Sequence, residues 1–170
     1  MAGSDLQRLA GQVAERLRRS GARIVTAESC TGGLLAKVLT DLAGSSDYFD
    51  RGWVTYSNAA KQDLLGVGAR LLARQGAVSR EVALAMVRGA LGTRGASCAV
   101  AVTGIAGPGG GVPDKPVGTV WIAWGWRERR RVGLVARRFR FRGDRAAVRQ
   151  RSVAAALRGL LRNPAGTEQP

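Results

Sequence analysis

Short apolar runs of strand character alternate with amphipathic helical runs along the whole chain, and this alternation limits the fold more than any other feature. Residues 4–19 place Leu6, Leu9, Val13 and Leu17 at the three-to-four spacing of a helix with one buried face. Ser4 is positioned to cap it and Gly21 to stop it. Residues 23–27 then read as a strand, followed by a small-residue turn and a helix over 34–42. The alternation continues with a strand over 52–56, a short helix ending near Leu65 and Gly66, and a longer one from Ser79, its cap, to about Leu91. A buried strand over 97–102 runs into a glycine-rich segment, 103–116. Residues 117–126 and 132–141 read as a hairpin, with Arg138, Arg140 and Arg142 suiting an exposed edge. A last helix over 144–161 carries an apolar stripe of Val148, Val153, Ala156, Leu157 and Leu160. Strands alternating with helices, plus one hairpin, predict a three-layer α/β/α arrangement around a mixed sheet. The length of 170 residues suits a single domain over 1–170, with 163–170 as a frayed tail.

The ionisable residues limit the chemistry. There are 27 basic residues against 12 acidic ones, a net charge of +15, and no histidine. Ser-His-Asp and Cys-His catalysis are therefore excluded, and no imidazole is available to a metal, so neither metal nor cofactor is expected. Cys30 and Cys98 lie far apart and form no CxxC, zinc ribbon or disulfide framework. The apolar stretches fall short of the roughly 18 residues a membrane helix requires. The start, Met1-Ala2-Gly3-Ser4-Asp5, lacks the basic and apolar regions of a signal peptide. A soluble cytoplasmic protein with no membrane partner is the expectation.

Eleven of the arginines fall within residues 127–151, against Glu128 and Asp144. Clustered arginine is the electrostatic footprint of phosphate binding. Arginine abundant together with alanine and glycine, however, also follows from GC-rich codons. Aromatic residues for base stacking are few and no RNA- or DNA-binding signature is present, so a solvated basic face is expected and nucleic acid is not the expected partner.

Ligands of open α/β sheets bind beyond the carboxyl ends of strands, where loops lead into helix N-termini, and three segments occupy such places. The first is Glu28-Ser29-Cys30-Thr31-Gly32-Gly33. Exposed amides and the helix dipole there would favour a negative charge, and a hydroxyl or thiol could be activated. A Ser/Thr helix cap followed by close-packing glycines accounts for the same residues. The second is Tyr56-Ser57-Asn58-Ala59-Ala60-Lys61. Without histidine a serine nucleophile needs another base, and desolvated lysine is the usual substitute. Of the three lysines, Lys37 lies mid-helix and Lys115 in a loop beside Pro116, which leaves Lys61 as the candidate by elimination; a surface lysine in a short helix is the plain alternative. The third is Thr103-Gly104-Ile105-Ala106-Gly107-Pro108-Gly109-Gly110-Gly111, which lacks the Lys-Ser/Thr of a Walker A loop and the following helix of a Rossmann fingerprint. It is either a backbone-lined pocket for a small anion or a flexible loop.

Together these segments resemble the CinA C-terminal domain family, whose members include nicotinamide mononucleotide (NMN) amidohydrolases. The matching stretches are Thr26-Ala27-Glu28-Ser29-Cys30-Thr31-Gly32-Gly33-Leu34-Leu35-Ala36, Leu39-Thr40 with Gly44-Ser45-Ser46, Tyr56-Ser57-Asn58 with Lys61, and Leu65-Gly66-Val67. They continue with Gly76-Ala77-Val78-Ser79, Thr103-Gly104-Ile105-Ala106-Gly107-Pro108, Lys115-Pro116-Val117-Gly118, and Phe141-Arg142-Gly143-Asp144-Arg145 followed by Arg149. Each piece is weak alone; their collinear combination over nearly the whole chain is specific.

The resemblance implies metal-independent hydrolysis of the NMN carboxamide to nicotinate mononucleotide and ammonia, in pyridine nucleotide salvage. By matching position it implies Ser29 as nucleophile, Lys61 as its base and Tyr56 as an aid to proton relay. It also implies amides around Cys30, Thr31, Gly32 and Gly33 as an oxyanion hole, with Asn58, Thr103, Gly104 and Arg145 holding the nucleotide and Arg145 at its phosphate. Ala59 and Arg80 stand where the family usually has acidic residues. Many members carry an upstream domain resembling molybdopterin-binding proteins, and this chain is expected to hold only the C-terminal unit. A homodimer or higher homo-oligomer is expected on base rate. The alternative reading is a non-catalytic nucleotide- or nucleic-acid-binding domain, in keeping with the family's link to competence and DNA damage. A third reading makes Cys30 the attacking thiolate.

Overall fold

A computed structural model describes residues 2–128 and 131–162. The elements run α1 (Ala2–Ser20), β1 (Ile24–Glu28), α2 (Leu34–Thr40), a 3-10 turn (Ser45–Asp47), β2 (Phe49–Val54), α3 (Asn58–Leu65), α4 (Ala69–Gln75), α5 (Arg80–Leu91), β3 (Cys98–Gly104), β4 (Thr119–Glu128), β5 (Arg131–Arg140) and α6 (Arg145–Arg162). The five strands form one sheet in the order β2-β1-β3-β4-β5. β1 pairs in parallel with β2 and β3, whereas β3, β4 and β5 pair antiparallel, so the sheet is mixed.

Helices cover both faces of the sheet, which explains why β1 and most of β3 are buried along their whole length. Alternate side chains divide between two cores. Ile24, Cys98, Val100, Val102 and Trp124 pack with α1, α2 and α6. Val25, Ala27, Ala99, Ala101 and Ala123 face Leu65, Leu72, Met86 and Val87 of α3, α4 and α5. This is the three-layer α/β/α architecture with a mixed sheet that the strand-helix alternation predicts.

Two expected punctuation marks are in place. Ser79 caps α5 by accepting a hydrogen bond from the Val82 amide, and Gly66 ends α3 at φ 65°. Other boundaries differ. Ser4 lies inside α1, because the helix begins at Ala2. β2 spans Phe49–Val54 and so starts three residues earlier than the expected 52–56 and ends two earlier, since the polar Asp50 and Arg51 hide a strand that sits on an edge of the sheet. α4 falls between the two expected helices, in a stretch to which the sequence assigns no element; it follows a glycine with no side-chain cap and buries only Leu72. The expected tail 163–170 lies outside the described residues.

The topology positions the site. Strands β1, β2 and β3 run in the same direction, so the loops after Glu28, Val54 and Gly104 emerge at one edge of the sheet. The loop after β1 leads into α2 on one face, and the loop after β2 leads into α3 on the other. The chain diverges at their meeting point, where an open α/β sheet leaves a crevice.

Candidate active site

Ser29 begins a tight turn directly after β1. Its amide donates to the Val102 carbonyl at 2.9 Å, and its own carbonyl accepts from the Gly32 amide at 3.0 Å. The turn is fastened from below by Glu28, which is fully buried. The Glu28 carboxylate accepts from the Gly33, Leu35 and Ala36 amides at 3.0, 3.1 and 2.8 Å. The helix dipole of α2 is thereby answered by the protein's own carboxylate, and no ligand anion is needed there. Glu28 escaped the sequence reading because it precedes the helix by a whole turn and occupies no ordinary capping position. On the outer side Arg149 donates through Nε and Nη2 to the Thr31 carbonyl at 3.2 and 2.7 Å.

Lys61 reaches this turn from α3. Ser57 caps that helix by accepting from the Ala60 amide, which directs the Lys61 side chain inward one turn later. Lys61 is 1% exposed, and its Nζ lies 3.1 Å from Ser29 Oγ, 2.8 Å from the Thr55 carbonyl and 3.3 Å from the Tyr56 carbonyl. Its partners are neutral, and it makes no ion pair with a carboxylate among the described residues. Burial lowers its pKa from the ordinary lysine value. A Cys30 thiolate would oppose that fall, but burial pushes the Cys30 thiol up to about 12, and it stays neutral near pH 7. The pull of the Cys30 backbone hydrogen bond and of Arg145 and Arg149 does not offset the burial, to which Glu28 adds.

These groups open onto a cavity of about 290 Å³ whose far wall is the glycine-rich loop, including Gly104, Gly107 and Gly110. Arg145 closes one side, donating to the Gly107 carbonyl at 3.0 Å and to the Tyr56 hydroxyl at 2.7 Å.

The structure thus brings Ser29, Cys30, Tyr56, Lys61, Thr103, Gly104 and Arg145 around one cavity. Thr31, Gly32, Gly33 and Asn58 are not part of its lining. The Gly32 and Gly33 amides are already taken by Ser29 and Glu28, because the turn must satisfy its own buried donors; among the described residues of the turn that line the cavity, the Cys30 amide is left to a ligand. Asn58 opens α3 on its exposed side. The Thr103 hydroxyl is committed to the Ala77 carbonyl at 2.8 Å, so it shapes the wall. Tyr56 turns its phenol outward to Arg145, and only its backbone carbonyl touches Lys61.

Among the described residues no cluster of side chains could hold a metal ion, and no helix is long and apolar enough to cross a membrane.

Comparison with known proteins gives a consistent picture. The nicotinamide-nucleotide amidohydrolase PncC of Pseudomonas putida is 54% identical over 160 residues, covering 94% of this chain and 96% of that protein. PncC of Escherichia coli K12 is 51% identical, covering 94% and 95%. Among solved structures, the competence/damage inducible protein CihA from Agrobacterium tumefaciens superposes with a TM-score of 0.88 at 47% identity, over 92% of this chain and 94% of that one. The CinA C-terminal domain model matches residues 6–163, and with agreement of this extent the chain belongs to the CinA C-terminal domain family.

Proposed function

We propose that the chain is an amidohydrolase of the cytoplasm that converts NMN to nicotinate mononucleotide and ammonia, with Ser29 as nucleophile and Lys61 as base. The observation that carries the reading is the buried Lys61 Nζ, 3.1 Å from Ser29 Oγ, with backbone carbonyls as its other partners. A neutral amine has two N–H bonds and one lone pair. The two N–H bonds fit the Thr55 and Tyr56 carbonyls, which leaves the lone pair for the Ser29 hydroxyl. Ser29 Oγ then attacks the carboxamide carbon as its proton passes to Nζ. The carboxamide oxygen gathers negative charge, for which the Cys30 amide is the donor of the turn on the cavity wall. The Lys61 ammonium returns the proton to the departing nitrogen, ammonia leaves, and an ester to Ser29 remains. Water, deprotonated by the same amine, hydrolyses that ester.

Arg145 is the group suited to the phosphate. Its two partners are neutral oxygens, and its planar fork can take a phosphate in bidentate fashion. The names of the PncC relatives support the substrate class. The basic segment lends less to a nucleic-acid reading than its charge suggests. Arg137 pairs with Ile122 on one face of the sheet, and Arg138 and Arg140 with Trp121 and Thr119 on the other, so the basic residues of β5 are divided between two faces.

Ammonia release from NMN tests the proposal. Steady release is expected from the wild type, with a loss of about 10³-fold or more in Ser29→Ala and of about 10²-fold or more in Lys61→Ala. Wild-type protein that binds NMN yet releases no ammonia overturns it.

A further inference from the structure

A larger cavity, of about 480 Å³, lies away from the Ser29–Lys61 site, between α6 and the outer part of the sheet. Helices α1 and α6 cover β1, β3 and β4 on this face but leave β5 open. The floor is aromatic. Trp124 is fixed there by its indole N–H, which donates to the Ala156 carbonyl at 2.9 Å, and Phe139 and Phe141 stack beside it with ring centroids 5.4 Å apart. The opposite wall is a stripe of α6 at three-to-four spacing, in which the small residues Ala147, Ala154, Ala155 and Gly159 keep the groove wide.

The rim has one dominant sign. Arg137, Arg151, Arg158 and Arg162 line it, and the acid among them is Asp5. Asp5 is already shared between Arg158 at 2.8 Å and Arg8 at 2.6 Å. Arg137 and Arg162 are exposed and have no hydrogen bond or ion pair among the described residues. An apolar, aromatic floor of ligand-pocket size under a rim of guanidinium groups is complementary to a flat or extended apolar body with an anionic end. A second copy of this chain fits poorly, because a two-fold contact would set four arginines against four.

We infer that this groove is a second binding site, distinct from the Ser29–Lys61 cavity, for an organic anion with an aromatic or acyl body. The apolar part lies on Trp124, Phe139 and Phe141, and the carboxylate, sulfonate or phosphate end meets Arg137 and Arg162.

The test uses two fluorescent probes with the same rings: 1-anilinonaphthalene-8-sulfonate and the uncharged N-phenyl-1-naphthylamine. The folded wild type is expected to bind one sulfonate per chain and to bind the uncharged probe about tenfold more weakly or worse. Ala155→Trp, which fills the groove from a half-exposed position, is expected to abolish sulfonate binding. Arg137→Glu, at an exposed position where folding is undisturbed, is expected to weaken it at least about fivefold while leaving the uncharged probe unchanged. Equal affinity for the two probes, or sulfonate binding indifferent to both substitutions, overturns the inference. So does sedimentation showing a stable dimer that Ala155→Trp dissociates, since the groove would then be occupied by a second copy.

Discussion

The Arg145 guanidinium donates to the Tyr56 hydroxyl at 2.7 Å across the mouth of the Ser29–Lys61 cavity, joining two positions 89 residues apart in sequence. Its other Nη donates to the Gly107 carbonyl, so one side chain ties the loop after β2, the glycine-rich loop and the start of α6. Tyr56 is 57% exposed, and a phenol so placed holds Arg145 in position without using any of its charge. The guanidinium therefore remains electrostatically open to an anion entering the cavity.

Arg145→Ala is accordingly expected to raise KM for NMN at least about tenfold, the cost of one lost charged hydrogen-bonding partner, with little change in kcat. Nicotinamide riboside, which lacks the phosphate, should be hydrolysed equally by both proteins. Arg145→Lys should recover only part of the loss, because an ammonium cannot hold Gly107, Tyr56 and a phosphate in the planar fork geometry. Steady-state kinetics on the two substrates check this, and an equal loss on both would remove the phosphate role.

Lys61 sets the pH dependence. Burial lowers its pKa, and the amine must be neutral to accept the Ser29 proton, so kcat/KM should rise with pH through a value below the 10.5 of an ordinary lysine. Stability should follow the same group. Between the lowered folded value and 10.5 the unfolded chain binds more protons at Lys61 than the folded one, so stability rises with pH across that window. Below the window Lys61 is charged in both states and its contribution is constant. Lys61→Met should abolish both the activity and this part of the rise, as urea unfolding at a series of pH values would register.

Cys30 adjoins Ser29 but is not suited to replace it. With its thiol pushed up to about 12 by burial, the thiolate is scarce at pH 8. Iodoacetamide should label Cys30 far more slowly than free cysteine. Cys30→Ala, which keeps the backbone amide, should retain activity within about tenfold, the equivalent of about 1.4 kcal/mol, because the thiol takes no part in the proposed reaction. Loss of turnover as complete as in Ser29→Ala would restore the thiolate reading.

Glu28 holds the nucleophile turn from inside. Glu28→Gln is nearly the same size, but its amide nitrogen would face backbone N–H donors and its charge at the α2 N-terminus is gone. A loss of about 2–4 kcal/mol is expected from the unpaired amides and the missing carboxylate. Activity should fall as well, because Ser29 is the next residue. Denaturant titration gives the stability change, and a change below about 0.5 kcal/mol would show that the three amides do not depend on the carboxylate.

The elements most legible in the sequence were those whose signal is local. Ser79 and Gly66 mark helix ends by chemistry that acts within one turn, and the runs ending at Glu28 and Gly104 are apolar because both their faces are covered. Local signals failed where tertiary packing decides, as at β2, an edge strand with polar residues, and at α4, which fully buries a single side chain, Leu72. The site divides in the same way. Absence of histidine pointed to lysine, and only one of three lysines stood at a loop-to-helix junction. The Tyr56–Arg145 and Arg149–Thr31 bonds join residues through the fold, and no spacing in the chain encodes them.

Two helical glycines should respond oppositely to the same substitution. Alanine in a helix interior is favoured over glycine by about 1 kcal/mol, because glycine loses more backbone freedom on folding. At Gly11 in α1 an added Cβ would meet nothing within 4 Å, so Gly11→Ala should stabilise the protein by about that amount. At Gly89 in α5 the same atom would lie 2.0 Å from the Leu65 carbonyl oxygen and 2.8 Å from its carbon. These are backbone atoms at the end of α3 and cannot swing aside as a flexible side chain would. Overpacking of this kind costs about 1–3 kcal/mol or more, which exceeds the propensity gain, so Gly89→Ala should destabilise. It should also impair turnover, since a shift of Leu65 is a shift of the helix that carries Lys61. Thermal unfolding of the two variants beside wild type decides the matter: a stabilised Gly89→Ala would mean that α3 and α5 are less closely packed than the contact at Leu65 requires.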